Sequence, residues 1–333
     1  MEATWERSLQ RFLESWPPGL HRDFDAYWQE RTGSGAAGGA PVSSPGPPYW
    51  LALPGWLASR YAGLLSRMHP GGDELLEDIL WGGYALFIAV RIQDDLFDRQ
   101  AEAPPLIFAP DLFLAEAGRC YIRRCGGLPL FWDFYRTSIA ATVGAILDVE
   151  SAQRAGVCPP GVLLQKYAEV NSIFKVGSAA LCLLADEFGP FPHVSGFCDE
   201  IAMVSQIYDD IEDVTDDLAA GRLNYFARTM GLSVTDRIDT TGLARKMESW
   251  LQRESEITAL VSGMRRRIES AEEAIAPLEL PGVAAYCESE RRTVDVLERV
   301  LRTSSADTLR ERVFHRGGIA SLLSGSATPA WTA

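Results

Sequence analysis

Long runs of helix-period apolar residues, each closed by proline or glycine, limit this chain to one kind of architecture. The spacing predicts helices over 49–67, 73–100, 110–125, 129–155, 160–187, 195–220, 236–277, 283–302 and 305–323. Breaks fall at Pro70-Gly71-Gly72, Pro104-Pro105, Gly126-Gly127, Pro159-Pro160, Pro190 with Pro192, and Pro281-Gly282. No alternating Val/Ile/Thr runs compete with them, so the expectation is an all-α chain. Several of these segments are well over the usual helix length of ~11–12 residues. Helices that long form bundles, and bundle cores take their metal and ligand sites from facing helices.

Residues 1–31 read as a separate N-terminal helical segment, broken at Pro17-Pro18, with Trp5, Leu9, Phe12, Leu13 and Trp16 at helical spacing. Residues 32–48 are rich in Gly, Pro and Ser and read as a flexible loop. The bundle is expected over 49–323, and 324–333 reads as a flexible tail.

Two acidic clusters sit on the apolar helical stretches. The first is Asp94-Asp95-Leu96-Phe97-Asp98, and the second is Asp209-Asp210-Ile211-Glu212-Asp213, followed by Asp216 and Asp217. Each places carboxylates at i and i+4 on one helix face, where like charges repel. The first cluster also ends its helix, where the dipole opposes negative charge by ~0.3–1 kcal/mol per group. In the second, Asp209, Asp213 and Asp217 extend the spacing to i+8 and form one stripe. A multivalent cation relieves such repulsion, and an all-oxygen donor set suits Mg²⁺, with Mn²⁺ as a substitute. A solvated acidic helix end is the plain alternative for either cluster taken alone.

Cations follow the same pattern. Lys175 lies in an otherwise apolar helical stretch, and Arg222 comes soon after the second cluster. Lys175 is either half of a structural ion pair or an anion-binding group, and Arg222 either caps a helix end or reaches the same anion.

The net charge of −14 argues against a nucleic-acid or anionic-membrane footprint. The longest apolar run, Ile79 to Val90, is too short to span a bilayer, which takes ~20 helical residues. Met1 to Arg7 lacks the pattern of a secretory leader, so a cytoplasmic location is expected. Six cysteines, at 120, 125, 158, 182, 198 and 287, complete no zinc set and read as reduced thiols.

The paired clusters resemble those of the class I isoprenoid synthases, the superfamily of trans-prenyltransferases, terpene cyclases and head-to-head synthases. Asp94-Asp95-Leu96-Phe97-Asp98 matches that superfamily's first aspartate-rich motif, and Asp209 to Asp213, with Gln206 before it, resembles the second motif of prenyltransferases. Lys175 matches the diphosphate-binding lysine between the motifs, and Gly221 to Phe226 resembles the Gly-Lys/Arg segment after the second. The likeness covers roughly 73–230. It implies a single antiparallel helical bundle around a central apolar pocket. It also implies three Mg²⁺ that draw diphosphate from an allylic prenyl substrate, and a homodimer is frequent among such proteins. The implied metal ligands are Asp94, Asp95, Asp98, Asp209, Asp210, Asp213 and Asp217. The implied diphosphate-binding residues are Lys175, Arg222, Arg99 and Gln206. Carbocation chemistry needs a dry pocket with aromatic faces, for which Trp81, Tyr84, Phe87, Val90, Phe174, Ile207 and Tyr208 are the candidates. Each also reads as plain core.

The departures choose among superfamily members. The region Pro47 to Trp56 has no Lys or Arg to dock a second, homoallylic diphosphate, and Asp98 is followed by Arg99-Gln100 rather than an arginine pair. Asp209, Asp213 and Asp217 share the spacing of the cyclase metal triad, although all three are Asp here. The cyclase Arg-Tyr pair near the C-terminus is not apparent. These features favour a terpene cyclase acting on a prenyl diphosphate of C15 or longer, with small Ala89 and Val90 suggesting a deep cavity. A prenyltransferase or head-to-head coupling synthase is the competing enzyme reading. The competing non-enzyme reading is an acidic helical interaction protein.

Overall fold

The computed structural model describes residues 2–32, 48–68, 72–97, 104–156, 158–233 and 240–303. The chain is all-α, and every regular element among the described residues is a helix. In order these are α1 (Glu2–Leu13), α2 (Pro18–Thr32), α3 (Tyr49–Arg60), α4 (Ala62–Met68), α5 (Gly72–Phe97), α6 (Ala109–Cys125) and α7 (Pro129–Ala155). Then come α8 (Pro160–Val170), α9 (Val176–Leu184), α10 (Phe191–Glu212), α11 (Val214–Ala219), α12 (Tyr225–Thr229), α13 (Thr240–Leu251), α14 (Glu254–Ile275) and α15 (Val283–Thr303). Short 3-10 turns cover Pro104–Phe108, Asn171–Lys175 and Ala276–Leu278. Among the described residues no helix is long and apolar enough to cross a membrane. All six cysteines are free thiols.

The chain divides into two compact units that interleave along the sequence. One draws its described residues from 2–138 and 173–191, the other from 139–172 and 192–303. The backbone of α7 passes from the first to the second.

In the first unit α5 is the central helix. Leu75, Ile79, Tyr84, Ala85, Ile88, Ala89 and Ile92 are all buried, on more than one face, as expected of a helix surrounded by others. Its main neighbour is α6. Gly82 makes their approach possible, because a Cβ there would lie 3.1 Å from the Tyr121 ring. Asp78 on α5 accepts from both Arg123 and Arg124 of α6, which ties the two helices at one end. An aromatic cluster docks the N-terminal helices. Phe113 of α6 meets Phe12, Trp16 and Phe24 at ring-centroid distances of 5.2, 5.2 and 5.4 Å. The break expected at Pro17-Pro18 falls between α1 and α2.

In the second unit α14 and α15 form the main antiparallel pair, laced by Arg265 to Asp295 and Glu298 and by Arg302 to Glu254. α8 opens on Pro159-Pro160, with proline at the first helical position, where its missing N–H costs nothing.

Four of the predicted helices are interrupted, and the one read as 49–67 divides at Tyr61 into α3 and α4. The segment read as 160–187 contains the 3-10 turn Asn171–Lys175, because Asn171 Nδ2 donates back to the Tyr167 carbonyl at 2.9 Å and competes with the helical ladder. The segment read as 195–220 starts earlier, at Phe191, and breaks at Asp213, where carboxylates crowd a helix C-terminus that the dipole makes unfavourable for them. The segment read as 236–277 breaks at Arg253, with φ −92° and ψ 87°. The helix predicted over 305–323, the tail 324–333 and loop residues 33–47 lie outside the described residues.

Candidate metal centre

The first acidic cluster closes α5. Asp95 is 1% exposed, and its Oδ2 accepts the hydroxyl of Tyr27 on α2 at 2.6 Å. Arg91, one turn earlier on α5, brings Nε to 3.4 Å from Asp95 Oδ1. Asp94, its neighbour, is only half-buried. Asp98 and Arg99 lie outside the described residues.

The second cluster spans the α10–α11 junction. Asp210 is 2% exposed and accepts from three donors: the Tyr167 hydroxyl at 3.0 Å, Gln206 Nε2 at 3.1 Å and the Tyr225 backbone N–H at 2.6 Å. Asp209, Asp213 and Asp216 are exposed. Helical bonds continue through the break, from Asp213 N–H to the Asp209 carbonyl and from Asp217 N–H to the Asp213 carbonyl. The stripe of Asp209, Asp213 and Asp217 therefore keeps its spacing, but it runs from solvent into the interior, and Asp217 is buried.

A glycine turn produces that inward end. Gly221, at φ +75°, ends α11 in a left-handed conformation that a side chain would strain. The Arg222 N–H then reaches the Asp217 carbonyl at 2.8 Å, and the Gly221 N–H reaches the Leu218 carbonyl at 3.1 Å. This pair of bonds is the Schellman closure of a helix end. It folds Arg222 back on its own helix, where Nη2 and Nε lie 2.8 and 3.0 Å from Asp217 Oδ1. Asn224 completes the knot by donating from Nδ2 to both the Asp210 carbonyl and Asp217 Oδ2 at 2.8 Å. Gln153 supports Tyr167 with a 3.0 Å bond to its hydroxyl.

Burial governs the charges here. Desolvation pushes the Asp210 carboxyl well above the ordinary 3.8, with Gln206, the Tyr225 N–H and Tyr167 pulling it part of the way back. Asp217 is also raised by burial, against the opposing effect of Arg222. Burial, and after it the neighbouring Asp210, push the Tyr167 hydroxyl well above its ordinary value.

The remaining predicted residues fall as follows. Lys175 is buried at the end of the 3-10 turn, directly after Phe174. Trp81 and Tyr84 are buried, while Phe87 and Val90 are half-buried. Trp50, which the sequence reading did not single out, stacks on Phe87 at 4.8 Å and on Phe174 at 5.4 Å, with Tyr84 6.3 Å away. Ile207 and Tyr208 are buried on α10 in the second unit. Arg222 and Gln206, expected to bind diphosphate, both contact carboxylates of the second cluster. Tyr27, Arg91, Tyr167, Gln153 and Asn224 carry these contacts and were not predicted. Of these only Asn224 had a local signal, as a polar residue opening a short helix.

Among the described residues no three His, Cys, Asp or Glu side chains gather into a metal-ligand set. Mg²⁺ seldom needs one, since it keeps several waters and takes one or two carboxylates together with phosphate oxygens. The carboxylates nearer solvent, Asp94 in the first cluster and Asp209 and Asp213 in the second, are hard oxygen donors of the type that mode uses. No family model matches the chain, and no curated protein matches it either.

Proposed function

We propose that this chain is a Mg²⁺-dependent class I terpene synthase. It ionises an allylic prenyl diphosphate of C15 or longer and cyclises the resulting carbocation. The observation that carries the reading is the matched division of labour in the two Asp-Asp pairs. In each, the second carboxylate is buried and clamped by a tyrosine, Tyr27 on Asp95 and Tyr167 on Asp210, while the first, Asp94 or Asp209, is left nearer solvent. A chance acidic helix end has no reason to fix one of two adjacent carboxylates in this way, twice.

Mg²⁺, when bound, neutralises negative charge on the departing diphosphate. Within the first cluster Asp94 and Asp98 would hold it, and within the second Asp209 and Asp213 would do the same. Lys175, in the first unit, would offer its amine to a diphosphate held at the first cluster. The stacked faces of Trp50, Phe87 and Phe174 offer π surface of the kind that stabilises a cation in a dry environment.

The test is diphosphate release from geranyl, farnesyl and geranylgeranyl diphosphate, with and without Mg²⁺, followed by mass spectrometry of the products. A terpene synthase releases diphosphate and forms a hydrocarbon or alcohol from one substrate alone. Longer diphosphates appearing only after isopentenyl diphosphate is added would replace the cyclase reading with chain elongation. A dimeric hydrocarbon skeleton would replace it with head-to-head coupling. No release under any of these conditions would leave an acidic interaction protein.

A further inference from the structure

The N-terminal helices α1 and α2 reach the first acidic cluster through one side chain. Tyr27 is buried, and its hydroxyl spans 68 sequence positions to Asp95 Oδ2. We infer that Tyr27 is a positioning residue for the Asp94-Asp95 pair, and that α1 and α2 are thereby part of the metal-binding apparatus. The inference rests on the function proposed above.

The geometry runs from packing to orientation. Phe12, Trp16 and Phe24 seat the two helices on Phe113 of α6, which fixes where Tyr27 stands. Tyr27 then holds one Asp95 oxygen while Arg91 approaches the other. The short bond from Tyr27 to Oδ2, with the Arg91 charge on the other side, holds the Asp95 carboxylate inward and anchors the last turn of α5. Adjacent residues on a helix point about 100° apart. Locking Asp95 inward therefore sets the direction of Asp94. Partners bonded directly to a metal ligand typically change metal affinity about 10- to 100-fold when removed; Tyr27 acts through the neighbouring Asp95, which places its effect at the low end of that range. Tyr167 on Asp210 repeats the device in the second cluster.

The experiment measures Mn²⁺ binding to the full chain by electron paramagnetic resonance, alongside thermal unfolding. Tyr27→Phe removes only the hydroxyl, and it should weaken Mn²⁺ binding about tenfold with a small change in unfolding temperature. Leu297→Ala, a packing cut on α15 away from the N-terminal helices, should lower the unfolding temperature and leave Mn²⁺ affinity unchanged. Tyr27→Phe binding Mn²⁺ like the wild type overturns the inference and leaves the proposed function standing. So does Leu297→Ala weakening Mn²⁺ binding as much as Tyr27→Phe does. A Tyr27→Phe chain that no longer unfolds cooperatively makes the hydroxyl structural, and it too overturns the inference. A wild-type chain that binds no Mn²⁺ overturns the inference, while the proposed function is decided by diphosphate release.

Discussion

Asn224 holds Asp217 through a 2.8 Å hydrogen bond from Nδ2, while its Oδ1 accepts the Ala227 N–H at 2.9 Å. One amide thus fastens the inner carboxylate of the second cluster and caps α12. The same Nδ2 also serves the Asp210 carbonyl, and the residue is fully buried. Asn224→Ala should destabilise the chain by about 2–4 kcal/mol, combining a lost N-cap with buried acceptors deprived of a donor. Urea unfolding would measure it, and a loss below about 0.5 kcal/mol would contradict the role.

The outer carboxylates should behave in the opposite way. Asp94 is half-buried and Asp213 exposed, so neither has much packing to lose. Asp94→Ala and Asp213→Ala should each lower Mg²⁺-dependent diphosphate release by at least about 100-fold, the usual effect of losing a group that stabilises transition-state charge. Circular dichroism should find helicity unchanged. Full turnover in either variant would remove that residue from the metal assignment.

How much of this was readable in advance depends on the distance over which each signal acts. Helix type and most breaks follow from local periodicity and from Pro17-Pro18 and Pro159-Pro160, and these appear where the spacing predicted them. Both acidic clusters are visible as i, i+4 patterns. Spacing could not say that Asp95 and Asp210 turn inward, because Tyr27 lies 68 positions from Asp95 and Tyr167 lies 43 from Asp210. Nor could it say that the stripe of Asp209, Asp213 and Asp217 would pass from solvent to interior. That follows from the left-handed turn at Gly221, which brings Arg222 and Asn224 back onto Asp217. The interruption at Asn171–Lys175 was hidden for a similar reason. It arises from a side chain bonding its own backbone inside an otherwise apolar run.

Lys175 separates a catalytic cation from a structural one. It is buried beside Phe174, at the junction of the 3-10 turn and α9. Lys175→Ala should reduce diphosphate release about 100-fold while the unfolding temperature falls by only a few degrees. Normal turnover with a large fall in unfolding temperature would make the ammonium a structural partner instead.

Glu290 should write a pH signature into stability that is separate from turnover. It lies on α15, is 3% exposed, and is raised by burial from the ordinary 4.5 to about 7, with a hydrogen bond from Tyr286 pulling the other way. In the unfolded chain the carboxyl ionises near its ordinary value, while in the folded chain it keeps its proton to about neutrality. Between those two values the folded state binds more protons than the unfolded one, so stability falls as pH rises. Below that window both states are protonated and above it both are ionised, and the contribution is flat. The full drop is on the order of 3 kcal/mol. Asp210 and Asp217, also raised by burial, add the same sign. Glu290→Gln removes the titration but keeps the shape. Denaturant unfolding from about pH 5 to about pH 8 should therefore lose stability more steeply in the wild type than in Glu290→Gln. Parallel curves would mean that Glu290 ionises alike in both states, and that the interior around α15 is wetter than its burial implies.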